Sequence, residues 1–231
     1  MNTNTIGTLN EKSIHSFIKD YIEPDKQYQE VKVGSYIADI KKDNHIYEIQ
    51  TQQFKKLLPK LKYYISNSYN TTIVYPVIQQ KYINWINPDT QQIVERRKSS
   101  HKGVIQDIFK ELYWIVSYIE NPLVELQIIL IDVEEYKLLD GYGQNLKRKA
   151  TKIDKVPTTV KEIIKIESVS DLEVFIPNTL KEKEFTSADY IKHTKCNKRW
   201  VSSGLKMLRE YNIIRIVRKE GNKFVYKVVE G

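Results

Sequence analysis

The run VGSYIADIKKDNHIYEIQTQ, from Val33 to Gln52, reads as two short strands joined by a tight turn, and the spacing of its acids decides what kind of sheet this is. Tyr36 to Lys41 and His45 to Gln50 are rich in β-branched and aromatic residues, and Asp43-Asn44 between them suits a two-residue hairpin connection. Strands paired symmetrically about that turn set Asp39 directly opposite Glu48. Opposed carboxylates with Cβ atoms ~5 Å apart repel, so a folded sheet needs something to compensate them. Hard oxygen ligands converging from neighbouring strands suit Mg²⁺ or Mn²⁺. The bland alternative is a pair of solvated carboxylates on a sheet edge. By strand alternation Gln50 and Gln52 project to the face of Glu48, and Lys41 shares the face of Asp39.

Upstream, Tyr28 to Val33 supplies a third strand, turned by Gly34-Ser35 into a meander. Before it, Ile14, Phe17, Ile18 and Tyr21 repeat at helical spacing from an Asn10 cap, and Pro24 ends the pattern. Glu11 lies on this helix as a solvated side chain or a ligand. His15, one turn later, shares its face, either as a structural histidine or as a hydrogen-bonding support. Downstream, a helix from Gln52 to Ser66 carries Phe54, Leu57, Leu58, Leu61 and Ile65, with Pro59 implying a kink or a break. Strands at Thr72 to Tyr75 and Tyr82 to Ile86, a helix from Ile105 to Ile119 and a strand at Leu126 to Ile131 follow. The class this predicts is α/β or α+β, a mixed sheet flanked by helices.

Hydrophobic residues make up 41% and charged residues 29% of the 231, the balance of an ordinary globular protein. Cys196 alone excludes an internal disulfide and a cysteine-rich zinc cluster. No apolar run approaches the ~20 residues of a membrane span, and Met1 to Asn10 lacks a secretory pattern, so the expectation is a cytoplasmic protein with no membrane partner. The net charge of +8 is unevenly placed: Met1 to Gln144 holds 17 Lys and Arg against 18 Asp and Glu, whereas Asn145 to Gly231 holds 20 against 11. That asymmetry points to a polyanion-binding module at the C-terminal end. The Gly- and Lys-rich stretch around 140–155 reads as a linker, which divides the chain into 1–144, a basic connection at 145–157 and a module at 158–231.

In that module, Phe185 to Asp189 opens a short helix, and a longer one follows Asn197 with Val201, Leu205 and Leu208 on its apolar stripe. Strands Ile213 to Arg218 and Lys223 to Val229 then flank a Lys219–Asn222 turn, and the first helix is expected within Thr158 to Ile166. Helix, turn, helix, hairpin resembles a winged helix-turn-helix domain. The resemblance sets Asn197, Lys198, Arg199, Ser202 and Lys206 against bases, and Arg215, Arg218, Lys219 and Lys223 against phosphates or the minor groove.

The first part resembles the PD-(D/E)XK nuclease superfamily, whose core runs helix, three-stranded meander, helix, strand. NEKSIHSFIKDY and YEIQTQQFKKLLPKLKYY are similar to an uncharacterised bacterial family within it. The resemblance implies a restriction-endonuclease-like fold and a Mg²⁺- or Mn²⁺-dependent endodeoxyribonuclease. Asp39 and Glu48 match its metal-binding carboxylates, Glu11 its helical acid, and Gln50 stands where the superfamily usually has lysine. A neutral amide orients water without supplying charge, which Lys41 or a lysine of the following helix would then provide. Duplex DNA is the partner implied, with a homodimer or partner subunit for double-strand cleavage. The alternatives are a noncatalytic DNA-binding regulator with a degenerate nuclease fold and an RNA-processing or RNA-binding protein.

Overall fold

In the computed structural model, which describes residues 10–142 and 149–229 with side chains from residue 14 onward, the acidic hairpin sits inside a seven-stranded mixed sheet. β1 (Gln29–Val33), β2 (Tyr36–Lys42) and β3 (His45–Ile49) form the antiparallel meander that the turn residues specify. Gly34 turns β1 into β2 with φ +60° and lies against the Tyr63 ring, where a Cβ would fall 2.1 Å from Oη. The chain then crosses through α2 (Leu58–Ser66) to β4 (Asn70–Ile86), parallel to β3. β6 (Val124–Leu138) runs parallel to β4 along nearly its whole length, and β7 (Thr151–Ile166) is antiparallel to β6.

One edge of β4 is shared. β3 pairs with Asn70–Val74 and β5 (Ile93–Lys102) pairs with Gln80–Ile86, so residues 75–79 face a notch between the two partners.

Burial on both faces of the sheet explains the unbroken Ile128–Ile131 run. Ile73, Tyr75, Leu126 and Ile128 belong to one core layer, whereas Val74, Ile129 and Ile131 meet Ile14 and Ile18 of α1 (Asn10–Ile22) in another.

The C-terminal elements pack onto the first layer. They are α4 (Asn178–Lys181), β8 (Phe185–Thr186), α5 (Ser187–Thr194), α6 (Lys198–Glu210), β9 (Ile214–Glu220) and β10 (Lys223–Val228), with a small sheet ordered β8-β10-β9. Thr186 and Asp189 close a capping box on α5, and Asn197 caps α6 by accepting from the Arg199 N–H. α6 meets α3 (Phe109–Leu112) closely, since a Cβ on Gly204 would fall 2.1 Å from the Phe109 ring. That ring lies 5.0 Å from Phe175 and 6.5 Å from Tyr190, so one continuous core spans both regions.

Several expectations change. Thr158–Ile166 is not a helix but the second half of β7, recruited because β6 would otherwise expose a long edge. Thr151–Pro157, read as connection, is the first half of the same strand, while 143–148 lie outside the described residues. Between β7 and β8 the chain forms the 3₁₀ turns of Ser170–Phe175 and the short α4. The helix expected at Gln52–Ser66 is broken ahead of Pro59 and not kinked at it: a 3₁₀ turn at Phe54–Lys56 precedes α2, in whose first turn the missing N–H of Pro59 costs nothing. The helix expected at Ile105–Ile119 breaks into a 3₁₀ turn, α3 and a second 3₁₀ turn. The two strands read at Thr72–Tyr75 and Tyr82–Ile86 are one, running through Pro76. With these boundaries the basic excess divides: 145–167 holds 7 Lys and Arg against 3 acids, and 168–231 holds 13 against 8. Among the described residues no helix is long and apolar enough to cross a membrane.

Candidate active site

The β2–β3 ladder follows the register expected from the Asp43-Asn44 turn, with Ile40 opposite Tyr47 as its last rung. Beyond it the strands part at Asp39 and Glu48. The Asp39 carboxylate bridges the gap by accepting the Ile49 N–H at 2.7 Å, in place of a backbone carbonyl. His15 Nε2 of α1 lies 3.1 Å from the same oxygen. Glu11 stands one turn earlier on α1, and its side chain lies outside the described residues.

Glu48 is fully buried. Lys60 Nζ of α2 donates to its two oxygens at 2.9 and 3.1 Å, and the Tyr64 hydroxyl donates at 2.8 Å. Lys60 also donates to the Ile37 carbonyl at 2.6 Å, which ties α2 to β2. Burial first, and then the charge of Asp39, push the Glu48 carboxyl up from 4.5 to about 7 against the pull of Lys60 and Tyr64. Burial and the adjoining carboxylate push the Tyr64 phenol up as well. The repulsion expected between Asp39 and Glu48 is therefore present, and the compensators in place are an ammonium, a phenol, an imidazole and a backbone N–H. Lys41 is not among them, because its ammonium turns back to the Asp43 carbonyl at 2.8 Å.

Lys60 and Tyr64 were missed as a pair. Their signal was a four-residue spacing on α2, which puts both on the helix face turned to β3. His45 shares a 2.8 Å hydrogen bond with Thr72 Oγ1, and burial lowers its pKa.

A cleft of about 700 Å³ opens between α1 and the end of β3, lined by His15, Lys19, Glu30, Gln50, Gln52 and Lys56 among others; Asp39 reaches it through its partners His15 and Ile49, which line it, and is not itself in the lining. Gln50 thus reaches the cleft, half-buried, while its N–H continues the sheet to the Val74 carbonyl at 2.9 Å. Lys19 crosses to Glu30 at 2.6 Å, and its hydrogen bond holds that carboxyl below its usual range. As a metal-binding set these residues are partial: among those described, no three His, Cys, Asp or Glu side chains converge as ligands would.

On the C-terminal elements, Asn197, Lys198, Arg199, Ser202 and Lys206 line the exposed side of α6, and Arg215, Arg218, Lys219 and Lys223 are exposed on the β9–β10 hairpin. Several are engaged within the protein: Asn197 caps α6, Lys206 pairs with Glu210 at 3.6 Å, and the Lys219 ammonium lies over the Phe224 ring at 6.0 Å. Arg218 is held between Glu184 and Glu220, and the Arg199 guanidinium lies over the Trp200 ring at 4.7 Å.

Residues 12–167 match the profile of a domain of unknown function, DUF8091. A protein of Treponema pallidum (strain Nichols), described as uncharacterized, is 30% identical over 152 residues, covering 65% of this chain and 60% of that protein. The chain thus spans about three fifths of the length of that relative. No solved structure matches it. The profile takes in the acidic hairpin, α2 and the whole seven-stranded sheet, and on that match the chain belongs to the DUF8091 family.

Proposed function

We propose that this chain is a metal-dependent phosphodiesterase acting on nucleic acid, with a restriction-endonuclease-like core and a winged-helix-like C-terminal part. The observation that carries the reading is the meeting of Asp39 and Glu48 where β2 and β3 part, with Lys60 on Glu48 and an open cleft alongside. The order α1, three-strand meander, α2, parallel β4 supports it, as does the helix-helix-hairpin order of the C-terminal elements.

Asp39 and Glu48 would hold Mg²⁺ or Mn²⁺, with Glu11 the candidate third carboxylate. When bound, the ion supplies Lewis-acid polarisation of the phosphate and neutralises charge developing on it. Lys60 provides the cation that Gln50 cannot, and Gln50 at the cleft wall orients water by hydrogen bonding. His15 is a positioning residue that fixes the Asp39 carboxylate.

A second reading, a nucleic-acid-binding protein whose site has lost catalysis, is favoured by the burial of Glu48 and the occupation of both its oxygens by Lys60 and Tyr64. Incubation with Mn²⁺ and plasmid, single-stranded DNA or RNA separates the two. The catalytic reading expects cleavage by the wild type that Glu48→Ala abolishes and Gln50→Lys changes only modestly. No cleavage of any substrate leaves the binding reading.

A further inference from the structure

A second cleft, of about 560 Å³, adjoins the first and shares Thr51 and Gln52 with it. Its floor is the notch in the sheet, where Tyr75 to Ile78 of β4 pass between the end of β3 and the start of the β5 pairing. Its walls bring together Lys81, His101, Lys110, Lys155, Asn197 and Trp200, drawn from β4, β5, α3, β7 and the beginning of α6.

Two acids belong to the same neighbourhood, Asp107 in the lining and Glu135 behind it. Asp107 accepts the Val104 N–H at 3.0 Å, and Glu135 is shared by Lys81 at 3.1 Å and Lys137 at 3.2 Å. Burial lowers the Lys155 pKa, and Lys152 and Lys81 lower it further against the opposing pull of Glu135. Cations gathered in a concave site, here Lys110 and Lys155 beside the Lys81–Glu135 pair, favour a polyanion over a neutral guest. Trp200 adds an indole at the wall. Cationic side chains tracking a backbone beside an aromatic surface are what a single strand of nucleic acid needs.

We propose that this second cleft seats the sugar-phosphate backbone of a single nucleic-acid strand and leads it past Gln52 to the Asp39–Glu48 site. The inference rests on the nucleic-acid reading above. It goes further by placing the strand path on sheet residues and on the inner end of α6, not only on the outward side chains of α6.

The test is fluorescence anisotropy of labelled oligothymidine with the full chain in EDTA, where cleavage plays no part. The wild type is expected to bind, with log affinity falling as log salt rises. The double variant Lys110→Ala/Lys155→Ala should bind about tenfold or more weakly, its salt slope reduced by ~0.7 for each phosphate that the missing ammonium groups leave unneutralised. Lys110 is exposed, so Lys110→Ala alone should weaken binding without loss of folding. Lys62→Ala, which removes an exposed charge on α2, should bind as the wild type does.

Failure of the wild type to bind would overturn the inference. So would unchanged binding by the double variant, an equal loss in Lys62→Ala, or equally tight binding of polyglutamate. Binding without cleavage in the plasmid assay would leave the strand path standing and remove only the catalytic reading.

Discussion

The ammonium of Lys60 lies 2.9 Å from a carboxylate oxygen of Glu48 that no solvent reaches. Removing one partner of such a pair strands the other, at a cost of about 3–5 kcal/mol when the remaining charge cannot relax. Lys60→Ala should therefore destabilise the protein strongly at pH 8, whereas Lys60→Ala/Glu48→Gln should recover most of the loss. A double-mutant cycle by urea denaturation measures the coupling. Additive effects would mean that the two charges do not depend on each other.

The acidity of Glu48 sets a second expectation. Its carboxyl is raised in the native state from 4.5 to about 7, so the native protein binds the proton more tightly than the unfolded chain does. The stabilisation from that proton is complete below pH 4.5, declines as pH rises and is gone above 7. A displacement of this size in a fully buried group corresponds to about 3 kcal/mol. Thermal melts of the wild type and Glu48→Gln should thus diverge between pH 5 and pH 8, with the glutamine variant gaining as pH rises. Parallel profiles would contradict the burial of the charge.

Asp39 supports backbone as well as carrying charge, since its Oδ2 accepts the Ile49 N–H at 2.7 Å. Asparagine keeps an acceptor there and alanine does not, so Asp39→Asn should retain native stability while Asp39→Ala loses about 1–3 kcal/mol. Both should lose any Mn²⁺ binding seen by calorimetry in the wild type. Undiminished heat in Asp39→Asn would remove Asp39 from the metal-binding set.

Gly204 tests the unity of the core. A Cβ there would meet the Phe109 ring at 2.1 Å, so Gly204→Ala must push α6 off α3. Overpacking of this kind costs about 1–3 kcal/mol, and with one core the loss should appear in a single calorimetric transition. Two transitions, with only the upper or lower shifted, would show that the C-terminal part unfolds by itself.

What the sequence made legible was local. The Asp43-Asn44 turn fixed the register that brings Asp39 beside Glu48, and the Ile14–Ile18 stripe identified α1 as a cover for one sheet face. What escaped depends on distant packing. The Lys60–Glu48 pair needs α2 laid against β3, and nothing in either segment names the other. β5 carries Ile93, Val94 and charged residues almost wholly exposed, so it has no alternation to read. β7 is strand because β6 requires a neighbour, while its own lysines resemble a solvated connection. The continuity of the core rests on Gly204 meeting Phe109, a contact between residues nearly a hundred positions apart.

The notch in β4 has a consequence for self-association. An interrupted sheet edge is an invitation for another molecule's extended segment to dock and begin a fibril. By alternation, the residues that turn their backbone groups to this edge are Val74, Pro76 and Ile78. The Val74 carbonyl already takes the Gln50 N–H at 2.9 Å, and the Ile78 carbonyl takes the Gly103 N–H at 3.2 Å. Pro76 has no N–H to give. The opening is therefore a poor template for a foreign strand, and its vacancy in the sheet does not carry the aggregation hazard that a bare edge of the same length would.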